Sequence, residues 1–92
     1  MPAPATVTTD GGITLRLEGK VPMSVYRRLQ EADQSFNYDE VYQILAMYVK
    51  EWSFSDLDPS DPASYDELDT TEYIDIVQAV SQWMAGRYRG KN

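Results

Sequence analysis

Val41, Ile44, Leu45, Tyr48, Val49 and Trp52 fall at i, i+3, i+4, i+7, i+8 and i+11. That repeat puts all six on one face of an α-helix. A face so apolar has to be buried, and the chain has no cysteine to hold a fold together by other means. At 92 residues, a single domain hides roughly two thirds of its unfolded surface. The remaining segments must therefore supply the other walls of one modest core. Their composition allows it: 42% hydrophobic and 12% aromatic residues suit a globule and not a disordered tail.

The other walls can be read along the chain. Thr6–Thr9 and Ile13–Glu18 read as two short strands around Asp10-Gly11-Gly12, a hairpin turn signal because glycine accepts positive φ. Ile13, Leu15 and Leu17 alternate with Thr14, Arg16 and Glu18, so one face of the second strand is buried. Val21-Pro22 opens a helix with the stripe Val25, Tyr26, Leu29, Ala32, which stops around Asp33–Ser35. Asn37 is the next N-cap, with Glu40 completing a capping box, and the helix it starts carries the stripe through Trp52. Residues 53–69 hold Pro59, Pro62, five Asp and four Ser, and read as a loop in which Ser64 and Glu67 cap one short turn. Asp69 or Thr70 caps a last helix with the stripe Tyr73, Ile76, Val77, Val80, Met84, which Gly86 ends. The expected fold is mainly α: a small bundle of about three helices with a short N-terminal β-hairpin. Residues 1–5 are expected to be a flexible leader, 6–87 a single helical domain containing the acidic loop 53–69, and 88–92 a flexible tail.

Charge is placed unevenly. Of 15 acids and 8 bases, nine acids lie in residues 51–75 with no base among them, while residues 76–92 hold three bases and no acid. An acidic middle argues against direct nucleic-acid binding. No run approaches the 18 or so apolar residues of a membrane span. The N-terminal residues lack the basic region and apolar core of a signal peptide, so the expected setting is a cytoplasm.

The same composition removes most catalytic chemistry. The chain has neither histidine nor cysteine, so triads and thiolate sites are excluded. No Gly-rich phosphate loop is present, and a carboxylate pair needs a deep cleft to act on a glycoside. No enzyme activity, catalytic residue or cofactor is expected. Asp56, Asp58, Ser60 and Glu67 occupy positions 1, 3, 5 and 12 of a calcium-loop pattern, but position 6, which needs glycine for the sharp turn, is Asp61. No metal site is assigned. Trp52 and Phe54 enter the acidic loop and Tyr65 and Leu68 recur at its far end. Together these four form the candidate partner-binding surface, an aromatic patch rimmed by acids that suits a protein partner.

The order of parts carries a resemblance. A strand region and helices are followed by Glu51-Trp52-Ser53-Phe54 closing a helix, a Pro-rich acidic loop, Ser64-Tyr65-Asp66-Glu67-Leu68, and a helix over Thr71–Val80. Across residues 13–86 this resembles the tail assembly chaperones of long-tailed (siphovirus-like) bacteriophages. The resemblance implies a non-enzymatic protein of the host cytoplasm that binds the tape measure protein and/or tail tube subunits during tail assembly, with self-association possible. It also implies absence from the finished particle and a longer frameshifted product, whose slippery site fits the terminal Gly90-Lys91. An alternative rests on charge: an acidic phage inhibitor, of anti-restriction or anti-CRISPR type, that imitates DNA. Such a mimic needs acids at regular helical positions, whereas here most sit in one loop.

Overall fold

A computed structural model describes residues 3–86. The chain runs β1 (Ala5–Thr8), β2 (Thr14–Leu17), α1 (Met23–Gln34), α2 (Tyr38–Tyr48), β3 (Val49–Trp52), a 3-10 helix (Pro62–Glu67) and α3 (Thr70–Met84). The hairpin forms as its turn chemistry dictates. Gly12 takes φ 88°, and Thr9 closes the turn three ways. Its N–H donates to the Ile13 carbonyl at 2.8 Å, its carbonyl accepts from Gly12 N–H at 2.9 Å, and its Oγ1 accepts from Ile13 N–H at 3.1 Å. Val7, Leu15 and Leu17 face inward while Thr14 and Arg16 face solvent.

The mainly α, three-helix bundle expectation is corrected here, because the fold is an α/β mix built on a three-stranded antiparallel sheet of order β1-β2-β3. The stripe from Val41 does not stay helical to Trp52. Val49 leaves the helix with φ −84° and ψ 110°, and residues 49–52 pair with β2, Leu15 opposite Trp52, Arg16 opposite Glu51 and Leu17 opposite Val49. The physical reason is that a valine and a tryptophan three residues apart satisfy a helical face and a short bulged strand equally well. Pairing wins because a two-stranded hairpin is marginal alone, and β3 covers the free edge of β2. Arg16 then pairs across the new strand boundary with Glu51 at 3.4 Å, and along its own chain with Glu18 at 3.0 Å.

The sheet's inner face and the helices enclose one core. It is filled by Leu29 of α1, Val41, Ile44, Leu45 and Tyr48 of α2, and Ile76, Val80 and Trp83 of α3, with Val7, Leu15, Leu17 and Val49 from the strands. Tyr48 Oη donates to the Lys20 carbonyl at 2.7 Å, and its ring lies against Gly19, whose φ is 133°. Trp83 packs on Tyr48 and donates from Nε1 to the Ala3 carbonyl at 2.7 Å, tying part of the expected leader to the body. The tail 88–92 lies outside the described residues.

Of the three helix starts expected, α1 has no side-chain cap, α3 has its full capping box, and α2 has only the Asn37 half of the expected box, since the Glu40 carboxylate pairs with Arg28. Asn37 accepts from Glu40 N–H at 3.4 Å. Asp69 accepts from Thr71 N–H at 3.2 Å, and Glu72 reaches back to Asp69 N–H at 2.9 Å. The end of α1 is less ordinary. Asn37 N–H returns to the Ala32 carbonyl at 2.8 Å and Phe36 N–H to the Asp33 carbonyl at 3.3 Å, the bonds of a Schellman stop. Its left-handed position, where glycine is the usual occupant, is Phe36 at φ 59°.

Candidate functional site

The Schellman stop delivers chain into an aromatic groove. Phe36 stands at its mouth, and Tyr38 and Tyr42 follow on α2 one helical turn apart, on a face adjoining the core stripe. The first turns of α3 add Thr70, Tyr73 and Ile74, and the 3-10 helix adds Tyr65, Asp66 and Leu68. Asp33 closes the α1 side. The half-open groove holds about 460 Å³, within the usual size of a ligand cleft. Phe36, Tyr38 and Ile74 are exposed at its rim.

The rings are arranged at right angles and in parallel. Tyr73 meets Tyr38 and Tyr42 edge-on, with centroids 5.7 and 5.9 Å apart and interplanar angles of 77° and 84°. Tyr42 runs nearly parallel to Tyr38 on one side and Tyr65 on the other. These are the offset and edge geometries favoured by the ring quadrupole. Burial raises the Tyr42 phenol to about 12, helped by the Asp66 carboxylate, which accepts its hydrogen bond at 3.0 Å. Burial also raises Tyr65 and Tyr73 above the ordinary phenol value, with Asp58 and Asp33 respectively adding to it. All three are neutral across the physiological range.

Two hydroxyls differ in a telling way. Tyr65 Oη donates to the Pro59 carbonyl at 2.7 Å. Tyr73 Oη is buried and has no hydrogen-bond partner among the described residues. Asp33 lies near enough to disfavour its ionisation without making a bond of ordinary geometry. Asp33 and Asp66 carry negative charge into the groove; no Lys or Arg is among its described lining residues, and neither Asp forms an ion pair there.

The four residues singled out from the sequence divide around Tyr65. Tyr65 is only 1% exposed and forms the floor of the groove, with Leu68 beside it. Trp52 and Phe54 lie on the other side of that ring. Trp52 is 5.0 Å from Tyr65 and 5.2 Å from Phe54 by centroids, and its Nε1 donates to the Leu57 carbonyl at 2.9 Å. They pin the acidic loop to the body. Phe36, Tyr38, Tyr42, Tyr73 and Asp66 were not singled out. The available signal was Tyr38 and Tyr42 one turn apart, together with an aromatic residue at a helix stop.

The acidic loop is occupied with its own conformation. Asp58 accepts from the N–H and hydroxyl of Ser60 at 2.9 and 2.7 Å, which lowers its pKa. Asp61 accepts from Ala63 N–H at 3.0 Å to start the 3-10 helix. Among the described residues, no three Asp or Glu side chains are grouped to hold a metal ion. No helix among the described residues is long and apolar enough to cross a membrane. No protein-family model, curated protein or solved structure matches the chain.

Proposed function

We propose that this is a non-enzymatic protein-binding domain acting as a tail assembly chaperone of a long-tailed phage. Its client is the tape measure protein, the tail tube subunit, or both, and it acts in the host cytoplasm. The observation that carries the binding reading is the groove itself: exposed Phe36, Tyr38 and Ile74 around a tyrosine-lined hollow. An apolar opening with polar rims is the ordinary anatomy of a protein contact. The assignment to tail assembly is supported by the ordered resemblance over residues 13–86. A small acidic domain that covers apolar surface on a long helical client would also keep that client soluble.

The test is co-expression of the tagged chain with the tape measure and tail tube proteins of the same genome. Recovery of either, with more of it in the soluble fraction, is expected. Clean failure, with both clients soluble, would remove the chaperone reading.

A further inference from the structure

The groove combines two features that recognise the same kind of group. Its walls are tyrosine rings whose faces and edges meet at right angles, and its rim carries two carboxylates without an ion-pair partner among the described residues. Aromatic faces attract a cation through the ring quadrupole, and more strongly when water is excluded. Carboxylates beside them add charge pairing. An uncharged apolar side chain would use the rings and leave both carboxylates facing an apolar group, which is unfavourable.

We infer that the groove is a cage for an arginine side chain presented by a protein partner, with its guanidinium over the exposed Tyr38 ring and between the Asp33 and Asp66 carboxylates. Arginine fits better than lysine for two reasons. A planar, weakly hydrated guanidinium stacks on rings and parts with water more readily than an ammonium does. It also has donors on several edges, enough for carboxylates that stand on different elements, Asp33 on α1 and Asp66 on the 3-10 helix. Asp66 is already aimed, since the Tyr42 hydroxyl holds one of its oxygens and leaves the other free to accept. The rim residues Phe36 and Ile74 cover the aliphatic stem and an apolar neighbour in the partner's sequence. This inference rests on the groove being the client-binding surface, and it specifies what the client must present there.

The test titrates the full-length, 15N-labelled chain with the probe acetyl-Leu-Ala-Arg-Ala-Leu-amide. Matched peptides carry citrulline, neutral and of the same shape, or lysine in place of arginine. The arginine peptide should shift the amides of Tyr38, Tyr42, Asp66 and Tyr73. The citrulline peptide should bind about tenfold more weakly or worse, and lysine should fall between. Asp66→Asn and Tyr38→Ala, both at exposed positions whose loss spares the core, should each weaken the arginine peptide several-fold, and Asp66→Asn should leave the citrulline peptide unchanged. Equal affinity for arginine and citrulline, or shifts confined to other surfaces, overturns the inference. The co-expression assay separates the two claims. Clients captured equally well by wild type and by an Asp33→Asn, Asp66→Asn double variant overturn the cage and leave the chaperone standing. Specific binding of the arginine peptide with no capture of either client does the reverse.

Discussion

Phe36 occupies a backbone position that penalises it. Its φ of 59° lies in the left-handed region, which costs a residue bearing a Cβ about 1–2 kcal/mol relative to its ordinary conformations. Replacing it with glycine removes that strain. The offsets are small. Glycine's freer unfolded chain costs about 0.4–1 kcal/mol. The ring is 71% exposed, so little burial is lost, and its tilted contact with Tyr38 at 6.3 Å is worth at most about 0.5 kcal/mol at such a site. Phe36→Gly is therefore expected to fall between a loss of about 0.5 kcal/mol and a gain of about 1.5 kcal/mol, centred on a small gain of about 0.5 kcal/mol, a rise in Tm of about 2–4 °C for a domain of this size. Phe36→Ala is the essential companion, because it removes the ring and keeps the strain. It should lie about 1 kcal/mol below the glycine variant by urea denaturation. Both should lose binding to the same degree, since both lose the ring at the groove's mouth. Equal stability of the two variants would refute the argument that Phe36 is held against its backbone preference. Unchanged binding by both would refute the argument that it is held there for contact.

Three further outcomes follow from named groups. Tyr65→Phe removes a donor to the Pro59 carbonyl and should cost about 1 kcal/mol, whereas Tyr73→Phe removes an unpartnered hydroxyl and should be neutral or stabilising; calorimetry showing equal losses in Tm would mean that Tyr73 Oη has a partner. Gly19→Ala should destabilise by about 2 kcal/mol, because its Cβ would sit 3.0 Å from two carbons of the buried Tyr48 ring; a urea midpoint within error of wild type would contradict that. Tyr42, Tyr65 and Tyr73 all have phenols raised by burial, so their neutral rings contribute fully below about pH 10 and that contribution is lost as the pH climbs through the folded values. Stability should be level with respect to tyrosine up to about pH 10 and then fall by about 1.4 kcal/mol per pH unit for each proton retained only in the fold; denaturation midpoints that stay constant from pH 9 to 11.5 would show these rings to be open to solvent.

Periodicity made the hairpin, α1, the caps of α2 and α3 and most of the core legible, because each rests on a local rule: alternation at Ile13, Leu15 and Leu17, and side-chain oxygens at Asn37 and Asp69. It failed at Val49–Trp52, where two periods fit the same residues. There the choice belongs to β2, more than thirty residues upstream and waiting for a partner. That distant choice makes the protein an α/β mix. The groove was half legible. Tyr65 and Leu68 were singled out because aromatic and apolar residues stand out in an acidic loop, and both do line it. Tyr38, Tyr42 and Tyr73 were indistinguishable from core tyrosines, since nothing in their spacing says that the stripe beside them is already full.

Two departures from good local chemistry fall at one place: a phenylalanine in a glycine position and a buried phenol without a partner among the described residues border the same groove as exposed Tyr38 and Ile74. Away from it Tyr48, Trp52 and Trp83 each satisfy their polar atom on a backbone carbonyl, and Asp58, Asp61 and Asp69 are held by nearby N–H groups. A sequence selected for stability alone would relax the groove with two substitutions, Phe36→Gly and Tyr73→Phe, neither of which disturbs the core. That both costs persist on the one surface where rings and acids converge is what a contact site requires, because its groups are completed by a partner and not by the fold. Combining the two substitutions should therefore give a protein at least about as stable as wild type that binds the arginine peptide several-fold more weakly, because the Phe36 ring at the groove's mouth is lost. A double variant that binds as wild type does would place the contact surface elsewhere on the molecule.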